Sequence, residues 1–289
     1  MNRRPFRPFR PARPSGGPPR SPGSPPSGAP GAERALDPSG LLVVDKPAGL
    51  TSHDVVDRVR AAFDWKKVGH AGTLDPLATG ILVLLVGKAT KSQATLLNKD
   101  KEYRGTLKLG AATTTHDADG EVVRRVEGPL GITSARLEEA MGAFRGEIRQ
   151  LPPMVSAVKH KGKPLYKYAR KGVEVPREER AVTIHRLDLV ELREAEGEAD
   201  ILCVVSKGTY VRTLVHDLGE RLGCGAYLLR LRRTRLGPFG EEDARPLDGL
   251  LKLGREEAFY LLRPVPGEGE GEGVGEREGR GEERPPTPA

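Results

Sequence analysis

Apolar residues in this chain are gathered within about residues 36–263 and fall into short runs and helical stripes. Leu41-Leu42-Val43-Val44 is a continuous run that ends at Asp45-Lys46-Pro47 and reads as a buried strand. Behind it, Val55, Val56, Val59 and Phe63 recur at helical spacing, with Ser52 as the expected cap. Ile81 to Val86 is a second apolar run and a second buried strand, followed by a helix over about 90–98. Lys101 to Leu109 alternates as a strand should, and Thr115 to Gly120 is a polar turn. Thr133 or Ser134 opens a helix through Phe144, and Leu151-Pro152-Pro153 is an extended connector. Ser156 to Lys159 reads as strand, 164–171 as a short helix, and Val182–Leu192 and Asp200–Ser206 as strands. Val211 to Leu222 is an amphipathic helix, Ala226 to Arg232 a strand, and Asp248 to Leu253 a helical turn. Strands and helices mix without regular βαβ alternation. The predicted class is therefore α+β, with a mainly antiparallel central sheet flanked by helices.

One connector breaks the pattern. Gly69-His70-Ala71-Gly72-Thr73-Leu74-Asp75-Pro76-Leu77-Ala78-Thr79-Gly80 joins a basic helix to the 81–86 run. Asp followed by Pro is an ordinary helix start. Here such a helix would run through Thr79-Gly80, a poor interior, and into a strand. A specially shaped loop with one carboxylate at its centre is the better description, and loops on rigid scaffolds are where reactive groups sit.

Composition limits the rest. Residues 1–35 are Pro, Arg, Gly and Ser, with seven Arg against one Glu; residues 264–289 carry seven Glu against three Arg. Neither end can bury enough apolar surface to fold, so both are expected to be disordered tails around one domain over 36–263. Of the net charge of +7, the first tail holds +6 and the last −4, which leaves the middle modestly basic and suited to a polyanion. No apolar run approaches a membrane span, and the N-terminus lacks the apolar core of a secretory signal. Cys203 and Cys224 are the only cysteines, too few for a disulfide framework or a zinc site, and a reducing cytoplasm is the simplest setting. The six His show no metal spacing. Gly87-Lys88 lacks the phosphate-loop pattern, and Asp117 to Gly120 is too short for a calcium loop.

Other residues have both a plain and a chemical reading. Lys46-Pro47 can simply end a strand. Tyr103, in Lys-Glu-Tyr-Arg, can be sheet surface or a stacking platform for a base. Residues 151–172 are dense in Lys and Arg, carry two Tyr and contain no acid, as an RNA-contacting surface would. In Ser206-Lys207-Gly208-Thr209-Tyr210-Val211-Arg212-Thr213-Leu214, Arg212 stands at a helix start, where a cation without a carboxylate partner is unfavourable. Leu231 can be strand core.

The Gly69–Gly80 loop resembles the catalytic loop of the TruB family of pseudouridine synthases, and the likeness extends over about residues 40–240. Leu77-Ala78 sets it apart from guide-RNA-directed relatives of the dyskerin type, which read Gly-Thr-Leu-Asp-Pro-Lys-Val-Thr-Gly. The resemblance implies a pseudouridine synthase fold. It also implies isomerisation of uridine 55 in the T loop of transfer RNA by a cytoplasmic enzyme, without guide RNA, metal or cofactor, and expected as a monomer. It makes Asp75 the catalytic carboxylate, paired with Arg212. It puts Tyr103 under the flipped base, Tyr210 beside it, Leu231 along the pocket, and Lys46 and His70 among the substrate-binding residues. His70 would support displaced RNA or stabilise the loop. The chemical route stays open between attack of Asp75 on C1′, stabilisation of cationic character there, and removal of a sugar proton. Two departures stand out. The family often has Asp in a Thr-Asp-Thr-like turn where this chain has Thr113-Thr114-Thr115, so no carboxylate is expected at that point. About twenty-five residues between Phe239 and the acidic tail leave no room for the RNA-binding PUA domain that many members carry.

Overall fold

The two apolar runs pair with each other. Gly40–Lys46 lies antiparallel to Thr79–Val86, from Gly40 opposite Val86 to Lys46 opposite Gly80. Both strands are buried on both faces. Leu42, Val44, Leu82, Leu84 and Val86 point into the larger core with Val55, Val59 and Phe63, and Leu41, Val43, Ile81, Val83 and Leu85 into a smaller one with Leu96 and Leu236. That double burial is why neither run alternates in the sequence.

The computed structural model describes residues 38–266. The expected tails, 1–35 and all but the first three residues of 264–289, lie outside the described residues. In chain order the elements are β1 (Gly40–Lys46), α1 (Ser52–Phe63), β2 (Val68–Ala71), β3 (Thr79–Val86), a 3-10 turn over Gly87–Ser92, α2 (Gln93–Leu97), β4 (Lys101–Leu109), β5 (Ala111–Thr113) and β6 (Val122–Arg125). Next come α3 (Ser134–Gly142), β7 (Gly146–Gln150), β8 (Lys159–His160), β9 (Lys163–Pro164), α4 (Tyr166–Ala169), β10 (Arg180–Arg193) and β11 (Glu198–Val205). The chain continues with α5 (Val211–Leu222), β12 (Ala226–Leu236), β13 (Phe239–Gly240), β14 (Arg245–Pro246), α6 (Leu247–Leu250) and α7 (Arg255–Tyr260). The main sheet runs β14-β1-β3-β12-β4-β11-β10-β7, with β2 on β3 and β13 on β12. Only the β1–β14 and β3–β12 pairs are parallel. The class is α+β with a mainly antiparallel sheet, as expected.

The differences are local. β2, β5, β6 and β7 are strands the pattern does not announce: β2 and β5 are only four and three residues long, and β6 and β7 are short and mostly exposed, with no apolar face to read. The strand-like reading of Ser156–Lys159 becomes a two-residue hairpin, β8–β9. Thr51, not Ser52, caps α1. Its hydroxyl accepts from the Asp54 N–H at 3.0 Å, and the Asp54 carboxylate accepts from the Thr51 N–H at 2.8 Å. Ser52 is thereby released for another contact, described below.

β3 changes neighbours along its length, and that change positions the functional loop. Val83 to Val86 pair with β2, whereas Thr79 and Gly80 pair with Arg232 and Arg233 of β12. The chain from 72 to 78 leaves the sheet where β2 ends and β12 takes over. Gly80 marks this point: its φ is +95°, and a Cβ there would stand 2.2 Å from the Arg233 carbonyl oxygen. Gly80→Ala is expected to destabilise the fold by more than about 1 kcal/mol, read as a lower urea midpoint. An unchanged midpoint would show that β12 can move away from the loop freely.

Candidate active site

The backbone of the loop over 72–78 is held by hydrogen bonds on several sides. Ser52 Oγ, free of the helix cap, accepts from the Leu74 N–H at 2.8 Å and donates back to its carbonyl at 3.1 Å. The Gly49 N–H donates to the Pro76 carbonyl at 2.8 Å. Lys46 Nζ donates to the carbonyls of Leu50 (2.7 Å), Pro47 (2.9 Å) and Pro76 (3.3 Å). From the other side, buried Arg233 donates through Nε to Ile81 O at 2.7 Å and through Nη2 to Gly72 O at 3.1 Å. One guanidinium thus ties both ends of the loop.

Asp75 is what these contacts present. Its side chain is 35% exposed and accepts no hydrogen bond among the described residues; its ionic partner is Arg212, with Nε 2.8 Å from Oδ2. The carboxylate lies off the N–H direction, so the contact is a charge pair and not an aligned hydrogen bond. Arg212 is only 3% exposed. Its remaining nitrogens are fixed elsewhere: Nη1 donates to Thr115 O at 3.0 Å and lies 3.3 Å from Asp117 Oδ2, and Nη2 donates to Val155 O at 2.9 Å. Three chain segments therefore converge on one buried cation.

The cleft around Asp75 holds about 290 Å³ and is lined by Tyr103, Tyr210, Arg212 and Leu231, together with Lys101 and Arg233. Tyr103 on β4 pairs with Arg233 of β12 across the sheet, and both line the cleft. Burial pushes the Tyr103 hydroxyl up, so it stays protonated at neutral pH. Burial raises Tyr210 as well. Gln150 clamps the Tyr210 backbone, accepting from its N–H at 2.8 Å and donating to its carbonyl at 3.1 Å. Lys101 is pushed down to about 8, first by burial and then by Arg233.

Five of the seven expected site residues thus share one cleft, and two do not. Lys46 is fully buried beneath the loop, outside the cleft lining, and its ammonium donates to three carbonyls that it supports. His70 lies on β2, half-buried, outside the cleft lining, with its Nδ1 unpartnered and its pKa lowered by burial and by Arg233. Arg233, Gln150 and Asp117 are the residues that sequence reasoning missed. Asp117 also answers the missing carboxylate at Thr114. It sits three positions on in the same turn, its main chain held by Thr113 Oγ1 at 2.7 Å and its carboxylate by the Thr115 hydroxyl. A Thr-x-Thr-x-Asp spacing inside a polar turn was the available signal. Among the described residues no His, Cys, Asp or Glu cluster is arranged to hold a metal, both cysteines are buried and free, and no helix is long and apolar enough to cross a membrane.

Comparison with known proteins assigns this architecture to a class. Residues 60–211 match the model of the TruB family pseudouridylate synthase N-terminal domain, and residues 212–265 that of the tRNA pseudouridylate synthase B C-terminal domain. The chain is 48% identical over 226 residues to tRNA pseudouridine synthase B of Chromobacterium violaceum, covering 78% of this chain and 72% of that one. It is 49% identical to the protein of the same name from Opitutus terrae, covering 92% of that relative. Among solved structures, a chain of a Cbf5-Nop10-Gar1 complex superposes with a TM-score of 0.60 at 30% identity, over 78% of this chain and 60% of that one. Sheet, cleft and matches together define an RNA-modifying isomerase of the pseudouridylate synthase class. Within that class, the chain belongs to the TruB family.

The Lys46 ammonium is held down to about 8 because burial disfavours its charge, with Asp75 opposing and Arg233 reinforcing the shift. Its folded value lies below its ordinary 10.5, so the charged form destabilises the fold fully below about pH 8, and that cost fades as pH rises to 10.5. Wild type is expected to gain stability relative to Lys46→Met across this window in urea titrations, with RNA affinity the same in both. Loss of RNA affinity in the variant at unchanged stability would return Lys46 to the substrate.

Proposed function

We propose that the protein converts uridine 55 in the T loop of transfer RNA to pseudouridine, as a cytoplasmic monomer and without guide RNA. The observation that carries this reading is the half-exposed Asp75, free of hydrogen bonds and paired with an Arg212 that three other acceptors hold still. The names of the relatives support the substrate class.

The isomerisation breaks the C1′–N1 bond, turns the base and joins C5 to C1′. Electrons and atoms are conserved, so the reaction asks for no redox partner. A carboxylate that faces the cleft with few hydrogen bonds from the protein keeps oxygen lone pairs available for the ribose or its protons. Arg212 restrains it by charge alone. A cleft of about 290 Å³ is small even for a small-molecule site, and it suits one nucleotide taken out of its stack. Tyr103 offers the receiving face, and Leu231 the apolar wall. With Tyr103 and Tyr210 kept protonated by burial, neither starts as a base; each can donate a hydrogen bond to the uracil. The basic segment over 151–172 can meet the phosphates outside.

The test is release of C5 tritium from labelled transfer RNA by purified protein with no guide RNA present. Asp75→Asn is expected to abolish release while RNA binding stays within a few-fold, because phosphate contacts dominate affinity. Retention of more than about a tenth of the wild-type rate would refute the role of Asp75. For the base platform, Tyr103→Leu should fail, whereas Tyr103→Phe should still bind and flip, since stacking is worth about 1–3 kcal/mol per base. Wild-type kinetics in Tyr103→Leu would remove that residue from the site.

A further inference from the structure

Arg212 takes two of its acceptors from the polar turn over 113–120, Thr115 O and Asp117 Oδ2, but that turn is not in the main sheet. Its backbone is bridged to Leu228 of β12, with the Leu228 N–H donating to His116 O at 3.0 Å and the Ala118 N–H to Leu228 O at 2.9 Å, and a side-chain contact ties it to α5, the helix that carries Arg212. His116 stands on the turn between the two acceptors, and His216 stands one helical turn beyond Arg212 on α5. Their rings stack with centroids 3.8 Å apart and planes 3° from parallel. His116 has φ +65°, a left-handed backbone that a non-glycine residue keeps only where its surroundings impose it. Its carbonyl accepts from the Leu228 N–H at 3.0 Å, which fixes the backbone side of the residue and leaves the ring to α5.

The His116 ring is uncharged at neutral pH. Nδ1 of both rings is buried without a partner, and a proton on either would be an unsatisfied buried donor. Burial, then His216, Arg212 and Arg177, push His116 down to about 4. Asp217, the next residue on α5, has its carboxyl pushed up by burial. An ordinary apolar pair would bury as much surface without orphaning two nitrogens. What the flat pair adds is a fixed plane and a fixed separation between turn and helix.

We propose that His116 and His216 are positioning residues for Arg212: their stack locks the 113–120 turn to α5, so that Thr115 and Asp117 stay on the guanidinium and Asp75 is held in register with the cleft. The proposal rests on the reading of Asp75 as the reacting carboxylate. Neither histidine touches the substrate.

Two substitutions at 116 separate ring from backbone. Asn accepts a left-handed backbone, so His116→Asn removes the ring and spares the turn; His116→Phe keeps a flat ring. Single-turnover tritium release at saturating transfer RNA is expected to fall about ten-fold or more in His116→Asn, with RNA affinity within roughly three-fold, and to be largely restored in His116→Phe. His216→Leu, on the regular helix, should reproduce the loss, and His216→Phe the rescue. Combining His116→Asn with Asp117→Asn should cost little beyond the worse single change, since both act through Arg212. A wild-type rate per folded molecule in both His116→Asn and His216→Leu would overturn the proposal, as would Phe variants as slow as the ring-less ones. An active Asp75→Asn would instead remove the underlying reading, so the two failures are distinct.

Discussion

A guanidinium that is 97% hidden from solvent cannot be left short of acceptors, and Arg212 imposes that demand on everything around it. It sits at the start of α5, where the helix field disfavours a cation. The remedy is convergence. Asp75 comes from the loop between β2 and β3, Thr115 and Asp117 from the turn after β5, and Val155 from the connector after β7. None of these acceptors lies on regular structure, and the cation fixes where the three segments meet. Arg212 acts as an internal counter-ion that organises three loops, and the cleft is the space they leave.

Support for Asp75 is divided by kind. Hydrogen bonds hold the backbone of its loop: Ser52 on Leu74, Gly49 on Pro76, Arg233 and Lys46 on carbonyls. Charge alone restrains its side chain. Geometry is thereby fixed without hydrogen bonds that would quench the carboxylate. Arg233 and Lys101 bring positive charge to the cleft wall while donating to main-chain carbonyls. A cleft so charged favours a substrate that carries phosphates outside and an electron-rich base within.

Residues on regular elements were legible in the sequence, and those on irregular ones much less so. Burial on two faces left β1 and β3 as unbroken apolar runs, and the stripe of α1 and α5 gave both helices within a residue or two. Asp75 and Arg212 stood out because each was awkward where it lay: a carboxylate in a glycine-rich loop, a cation at a helix start. Asp117 lay in a turn where an Asp is unremarkable, and Gln150 on an exposed edge strand, so nothing local marked them. Lys46 read as the end of a strand, and only the folded loop shows its ammonium enclosed by carbonyls.

The edge of β1 has a history within the making of the chain. Its inner side meets β3 within about forty residues, but its outer side waits for Arg245 and Pro246, and then for Arg263, whose backbone exchanges two 2.8 Å hydrogen bonds with Leu41. During synthesis the first strand made therefore keeps a bare hydrogen-bonding edge until nearly the last described residue has emerged, and it is rich in Leu and Val. Such an edge invites pairing with other nascent chains. Its protection arrives as two-residue β14 and a single bridge, too short to recruit a stranger in turn. A ribosome that stalled before residue 245 would hold a strand that is buried in the finished molecule and sticky until then.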